Sequence, residues 1–355
     1  MIINLIVPDK AKSLSENRSL QQFPAMDLAE VQSGDYQQSL NSWYSDQFVG
    51  RNLFVHSKYL VSKLTGNRKI DNVFLGKGML IEDANEPNEV QLKRNLDAMN
   101  SFCDKHPDLK YYFMLVPNAV SVEKDKLPKN ADVLSQKEQM DSIYSQLRND
   151  ITQVDIRDAL NKHKDEYLYY KTDHHWTSLG AYYAFQTASK VLDLEDADKA
   201  EYDIYLGTKN FKGTLANKTG SISMKDEVNL YVPKDLPDYV CNNVSLGTQS
   251  RTMYSSAGLD SNDPYTVFLG GNAGIVRLEM DNKSNKRLLI FKDSYANTFL
   301  QFLIPYYRTI TIVDPRYYFD DVNRIVESEV VTDVMYLYNT NTFIQDTSLA
   351  DVIGS

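Results

Sequence analysis

The sequence predicts an α/β protein built on a doubly wound parallel sheet. Three observations carry this. Short runs of aliphatic and aromatic residues over 111–116, 288–291, 309–313 and 334–338 read as strands buried on both faces. Helical patterns of period 3.6 alternate with them. At 355 residues, 42% of them hydrophobic, the chain can bury a sizeable core.

In chain order, residues 1–68 form a polar, helical segment distinct from the main domain, 69–355. The start, 1–8, is apolar but too short to span a bilayer and lacks the basic start of a signal peptide. Ser13, Ser15, Glu16, Asn17 and Arg18 cluster next. Two helical patterns follow, over 34–48 and 51–64. Tyr36, Leu40, Trp43, Tyr44 and Phe48 make an apolar stripe at helical spacing, so the pair is expected to pack on the main domain. Residues 73–75 are a strand ending in Gly76-Lys77-Gly78, read as a hairpin turn, since the Walker spacing of a phosphate loop is absent. Helices over 86–104 and 135–149 bracket strand 111–116, which Pro117-Asn118 closes. A short aromatic strand over 167–170 leads into a polar loop, and helix 178–192 follows. Residues 193–285 break the rhythm with glycines from Gly207 to Gly274. They read as a loop-rich insertion walling one side of a cleft. A strand, a helix near 319–329 and a last strand complete the chain.

Two stretches carry chemistry. Asp173-His174-His175-Trp176 sits on the loop between strand 167–170 and helix 178–192, with Thr177 or Ser178 as N-cap. An acid orienting a histidine base is two thirds of a nucleophilic triad. The plainer alternative is a polar turn whose histidines satisfy backbone groups. Far downstream, Ser294 falls between strand 288–291 and a helix. Its hydroxyl would stand at the strand's carboxyl end, near free helix N–H groups that can stabilise an oxyanion. The plainer alternative there is an N-cap.

Together with Lys292-Asp293-Ser294-Tyr295-Ala296, 313–318, Gly76–Leu80 and 268–272, the Asp-His-His-Trp run resembles the signature of the DHHW proteins. These are relatives of the AlgX and AlgJ proteins of alginate O-acetylation, within the SGNH hydrolase and acyltransferase superfamily. The resemblance covers nearly the whole chain. It implies Ser294 as nucleophile, His175 as base and Asp173 as orienting acid, with no triad role for His174. Here the Asp/His loop precedes the serine, so the chain resembles a circularly permuted SGNH fold. Strand 309–313 would then lie beside the nucleophile strand, with 334–338, 111–116 and 167–170 completing the sheet. The oxyanion donors expected are the Ser294 or Tyr295 N–H and the side chain of Asn339 or Asn341. Arg316 is either a substrate contact or the ion-pair partner of Asp314. Tyr295, Trp176 and Tyr317 are expected to line the cleft.

A net charge of −10 argues against nucleic acid as partner. No run approaches the length of a transmembrane helix. The two cysteines, Cys103 and Cys241, leave a disulfide open. No cofactor motif is present, and adjacent histidines on one loop make a poor metal site. The resemblance implies an extracytoplasmic, cell-surface protein tethered by an N-terminal membrane helix outside this sequence. It also implies O-acetyl transfer to an extracellular or cell-wall polysaccharide, with an MBOAT-type membrane protein as acetyl carrier. A carbohydrate esterase of the same fold and a non-catalytic glycan-binding module are the alternatives.

Overall fold

The structure, a computed structural model, describes residues 7–13 and 18–354. The apolar start up to residue 6 and the polar Ser15, Glu16 and Asn17 lie outside the described residues. Numbering only the strands of the large sheet, β1 is Lys110–Val116, β2 Ile151–Gln153, β3 Tyr239–Asn243 and β4 Thr248–Ser250. Likewise β5 is Ile275–Met280, β6 Arg287–Lys292, β7 Thr309–Val313 and β8 Asp333–Asn339. They lie in the order β4-β3-β5-β7-β6-β8-β1-β2. The five strands from β7 to β2 are mutually parallel. β5, β3 and β4 extend the sheet antiparallel.

The sheet is therefore mixed, where a wholly parallel one was expected. Two further expectations fail. Residues 167–170 do not complete the sheet, because β2 takes the edge beyond β1. Tyr169 makes only a single bridge to Trp176. Its run is aromatic because Tyr169 and Tyr170 pack into the core beneath the loop. Residues 193–285 are also more regular than a loop-rich insertion. They supply β3, β4 and β5, and a second antiparallel pair of Tyr202–Phe211 with Asp226–Pro233. The alternating burial of β5 is that of a strand solvated on one face, which lacks a continuous apolar run.

Side chains alternate across the pleat. Tyr112, Met114, Val116, Ile290 and Leu337 face the helix Ser178–Val191 and its Ala181, Ala184 and Phe185. Tyr111, Phe113, Leu115, Phe291 and Tyr336 face the other layer, with Met99 and Phe102 of Glu89–Lys105 and Met140 and Ile143 of Gln136–Ser145. Cys103 and Cys241 are free and belong to opposite layers. Gly76-Lys77-Gly78 does turn a hairpin, between the antiparallel strands Val73–Leu75 and Leu80–Glu82. The N-terminal helices Asp35–Gln47 and Arg51–Thr65 bury little beyond Trp43, and Tyr59 with Ser62. The second is fixed by the His56 ring, whose Nδ1 lies 2.8 Å from the Gly220 carbonyl. Among the described residues, no helix is long and apolar enough to cross a membrane.

The helix Ser178–Val191 starts under the polar loop. Thr177 caps it, accepting the Gly180 N–H at 3.2 Å. Gly180 is needed for close approach, since a Cβ there would lie 2.5 Å from the Leu168 carbonyl oxygen. That oxygen already accepts the Thr177 N–H at 2.8 Å. Gly180→Ala is expected to lower unfolding free energy by about 1–3 kcal/mol in urea titrations, although alanine favours helices.

Candidate active site

Residues 168–177 close on themselves: the Tyr170 N–H donates to the His175 carbonyl at 3.2 Å and the Thr177 N–H to Leu168 at 2.8 Å. A buried acid from a distant strand pins the loop. Asp226 accepts the N–H groups of Lys171 and Thr172, both at 2.8 Å, and the hydroxyls of Tyr167 and Thr172. So held, Asp173 turns inward to 3% exposure. Its Oδ1 accepts the His175 N–H at 3.0 Å and lies 2.5 Å from His175 Nδ1. Its Oδ2 accepts the N–H and hydroxyl of Thr214 at 2.7 and 2.9 Å.

Ser294 follows β6 after a single residue, Asp293. It is the one residue from 291 to 300 that is not buried. Its backbone is relaxed and helical, at φ −67° and ψ −16°. His175 Nε2 lies 2.7 Å from Ser294 Oγ. Asp173, His175 and Ser294 thus form a continuous hydrogen-bonded chain across 119 residues of sequence between the last two. Tyr265 holds both ends of its second link. Its ring stacks on the His175 ring with centroids 3.9 Å apart, and its hydroxyl donates to the Ser294 carbonyl at 2.8 Å.

Burial lowers the His175 pKa to about 4, and the charges of His174 and Arg316 push the same way against Asp173. At neutral pH the ring is neutral and can accept a proton. Burial alone would raise the Asp173 carboxyl. The two histidines and the hydrogen bonds outweigh it and hold the group well below the usual carboxylate range.

The remaining expected site residues are placed otherwise. Trp176 is fully buried, donates its indole N–H to the Tyr295 carbonyl at 3.0 Å and stacks on Phe299. Tyr295 is fully buried too, and its hydroxyl donates to the His174 carbonyl. Its N–H is spent on Asp293 at 2.9 Å. Neither side chain lines a cleft. Asn339 gives its amide to Asp293 and Thr342, both at 2.6 Å, and Asn341 gives its own to the Asp83 carbonyl at 2.8 Å. Both asparagines are structural, because buried strand ends must satisfy their polar groups internally. Arg316 is the ion-pair partner of Asp314, through Nε at 2.8 Å and Nη2 at 2.7 Å. Tyr317 is half exposed, and beyond Arg316 a groove of about 600 Å³ runs past Pro315, Tyr318, Phe319 and Asp320.

One residue near the serine, Asn272, is not among the expected oxyanion donors, although it ends the 268–272 run that carries the family resemblance. Asn272 is exposed on the turn after Gly271, and its Oδ1 accepts from Lys292 Nζ at 3.1 Å and Asn297 Nδ2 at 3.2 Å. Lys292 and Asn297 flank Ser294, the latter one helical turn along. Among the described residues, the Asn272 amide and the Ser294 N–H have no hydrogen-bond acceptor. Asp173, His174 and His175 also offer three potential metal ligands within 4.8 Å of one another. Both ring nitrogens of His175 and both oxygens of Asp173 are already engaged, which suits proton transfer better than coordination.

The family model described as DHHW protein matches residues 98–313. No curated protein matches the chain. A solved DHHW family protein from Eubacterium siraeum is 24% identical, covering 80% of this chain and 98% of its own, with a TM-score of 0.65. Bacillus cereus PatB1, solved with a sulfonyl adduct, is 18% identical over 78% of this chain and 96% of its own, also with a TM-score of 0.65. The O-acetyltransferase domain of Pseudomonas putida AlgJ is 15% identical over 80% of this chain and 99% of its own, with a TM-score of 0.51. These likenesses establish a shared mixed α/β fold.

The buried pair has a consequence for acid stability. With a folded pKa of about 4 against 6.5 unfolded, the unfolded chain binds more protons at His175 between those values. This contribution is complete above the unfolded value and is lost as pH falls through the window. Urea unfolding across pH 4–6.5 should show His175→Gln flattening the slope by up to about 1.4 kcal/mol per pH unit. An unchanged slope would mean His175 is not held neutral.

Proposed function

The chain belongs to the DHHW protein family, and on that premise we propose that it is an O-acetyltransferase acting on an extracellular or cell-wall polysaccharide. The main support is the Asp173–His175–Ser294 chain at the carboxyl end of β6, where open α/β sheets bind ligands. The structural likeness of this chain to an O-acetyltransferase domain points the same way.

The mechanism uses the groups in their observed places. His175 Nε2 takes the proton of Ser294 Oγ as that oxygen attacks the acetyl carbonyl. Asp173 holds the imidazole with Nδ1 protonated and stabilises the imidazolium. Collapse of the tetrahedral intermediate expels the donor's leaving group, which takes the proton from His175, and leaves an acetyl-serine. A sugar hydroxyl then gives its proton to His175, attacks the acetyl-serine and carries the acetyl group away, and the proton returns to Ser294. The Ser294 N–H and the Asn272 amide are the oxyanion donors in this scheme, replacing Asn339 and Asn341. An MBOAT-type membrane protein carries the acetyl group to the domain, which works outside the cytoplasm, tethered to the membrane. The strand order, with the Asp/His loop ahead of the nucleophile, supports an SGNH fold that is circularly permuted.

Ser294 is partly open to solvent, which also fits a carbohydrate esterase that passes the acetyl group to water. Positioning separates the two, because a well-oriented acceptor can reach an effective molarity of about 10⁵ M. Wild type given an activated acetyl ester should hydrolyse it slowly and acetylate added oligosaccharide faster, as read by mass spectrometry. Ser294→Ala should do neither while melting within a few degrees of wild type. Rapid stripping of acetylated glycans with no acceptor modified would favour the esterase. In the same assay Asn272→Ala should lower kcat by about 10²–10³-fold with little change in KM. A pure KM effect would make Asn272 a binding residue instead.

A further inference from the structure

We propose that the outer face of the helix Arg51–Thr65 is a membrane-interface surface that seats the domain on an anionic bilayer. The helix has two unlike sides. Tyr59 and Ser62 are buried and His56 bonds Gly220, so one side is fastened to the domain. On the other side Leu53, Phe54, Leu60, Val61 and Leu64 are 67, 61, 47, 57 and 86% exposed. At 3.6 residues per turn these five fall within an arc of about 120°. They are not isolated surface residues. Phe23, Met26, Leu28, Tyr44 and Val49 are exposed in the same segment. Among the described residues, ten of the 23 large apolar side chains that are exposed lie within residues 23–64. Concentration of that kind marks an interaction surface.

Charge identifies the occupant. Residues 51–70 carry Arg51, Lys58, Lys63, Arg68 and Lys69 and no acidic residue, in a chain of net charge −10; Lys69 pairs with the buried Asp83, and the acids Asp27, Glu30, Asp35 and Asp46 all precede the helix. Lys58 and Lys63 flank the apolar arc on its two sides. Lys58 also meets Asp71 at 2.8 Å, an exposed pair that water screens strongly. A fastened helix with an outward apolar face rimmed by cations has the signature of a helix lying in a headgroup layer. A second copy of this chain would bring the same cations face to face. The bilayer is therefore favoured over self-association. This inference needs neither the triad nor an N-terminal membrane span.

The test is co-sedimentation of the whole chain with vesicles of phosphatidylcholine, with and without phosphatidylglycerol. Pelleting should require the anionic lipid and weaken as salt rises. Leu60→Ser with Leu64→Ser should lower vesicle affinity by about tenfold or more with an unchanged melting temperature, since both side chains are exposed. Lys63→Glu with Arg68→Glu should erase the preference for anionic lipid while keeping the apolar face. Failure to pellet with anionic vesicles, or equal pelleting with phosphatidylcholine alone, overturns the proposal. So does a concentration-dependent dimer that the leucine variant abolishes without any vesicle binding, which would assign the face to a second copy.

Discussion

A carboxylate taken out of water must be given donors on both oxygens, and Asp173 is such a carboxylate. Its own loop supplies two donors, both from His175, and Thr214 supplies the other two from 41 residues away. The approach is close enough that a Cβ on Gly213 would come within 2.2 Å of the Asp173 Cβ. Asp226, on the strand Asp226–Pro233, then fastens Lys171 and Thr172 on the near side of the loop. The antiparallel pair is thus a clamp on the polar loop. Were it displaced together with the connection that carries Gly213 and Thr214, Asp173 would lose half its donors and the backbone packed against it. The tautomer and orientation of His175 follow from that one anion.

A second polar layer lies beneath the serine. Asp293 accepts from the Tyr295 N–H and from both the backbone and the side chain of Asn339. Asn118 then joins Asn339, Tyr295, Gln136 and the Asn341 N–H. This ties the ends of β1, β6 and β8 into one network, of the kind that rigidifies when every member is satisfied. It also explains why asparagines at strand ends resemble oxyanion donors in sequence without serving as such here. At such positions an amide is as useful for completing buried hydrogen bonds as for meeting substrate, and residue type alone does not distinguish the two.

Continuous apolar runs made β1, β6, β7 and β8 readable, because burial on both faces leaves no other composition. Helices Glu89–Lys105 and Ser178–Val191 were readable from periodicity and caps. β3, β4 and β5 were not, since strands with one solvated face and short length resemble loops in sequence. Asp173, His175 and Ser294 were readable because their residue types and strand-end positions are chemically specific. Thr214 and Tyr265 were invisible for the opposite reason: a threonine and a tyrosine acquire their roles only through contacts made across the fold. Trp176 shows the reverse error. Adjacency to His175 suggested a place in the cleft, yet consecutive residues on a tight loop point to different sides, and the indole went to the core.

The sheet order has a consequence for how the chain acquires its structure. β8 lies between β6 and β1, yet it is the last of the eight strands in sequence. During synthesis β1 emerges early and keeps one edge unpaired until residues 333–339 arrive. The nucleophile strand, too, lacks its β8 neighbour until then. Closure of the central sheet therefore waits for β8, is dominated by contacts distant in sequence and is expected to be slow. A nascent chain must be protected at an apolar strand edge throughout that interval. Removing only the residues from β8 onward would cost the sheet its middle, leaving the triad residues present but no common scaffold to bring them together.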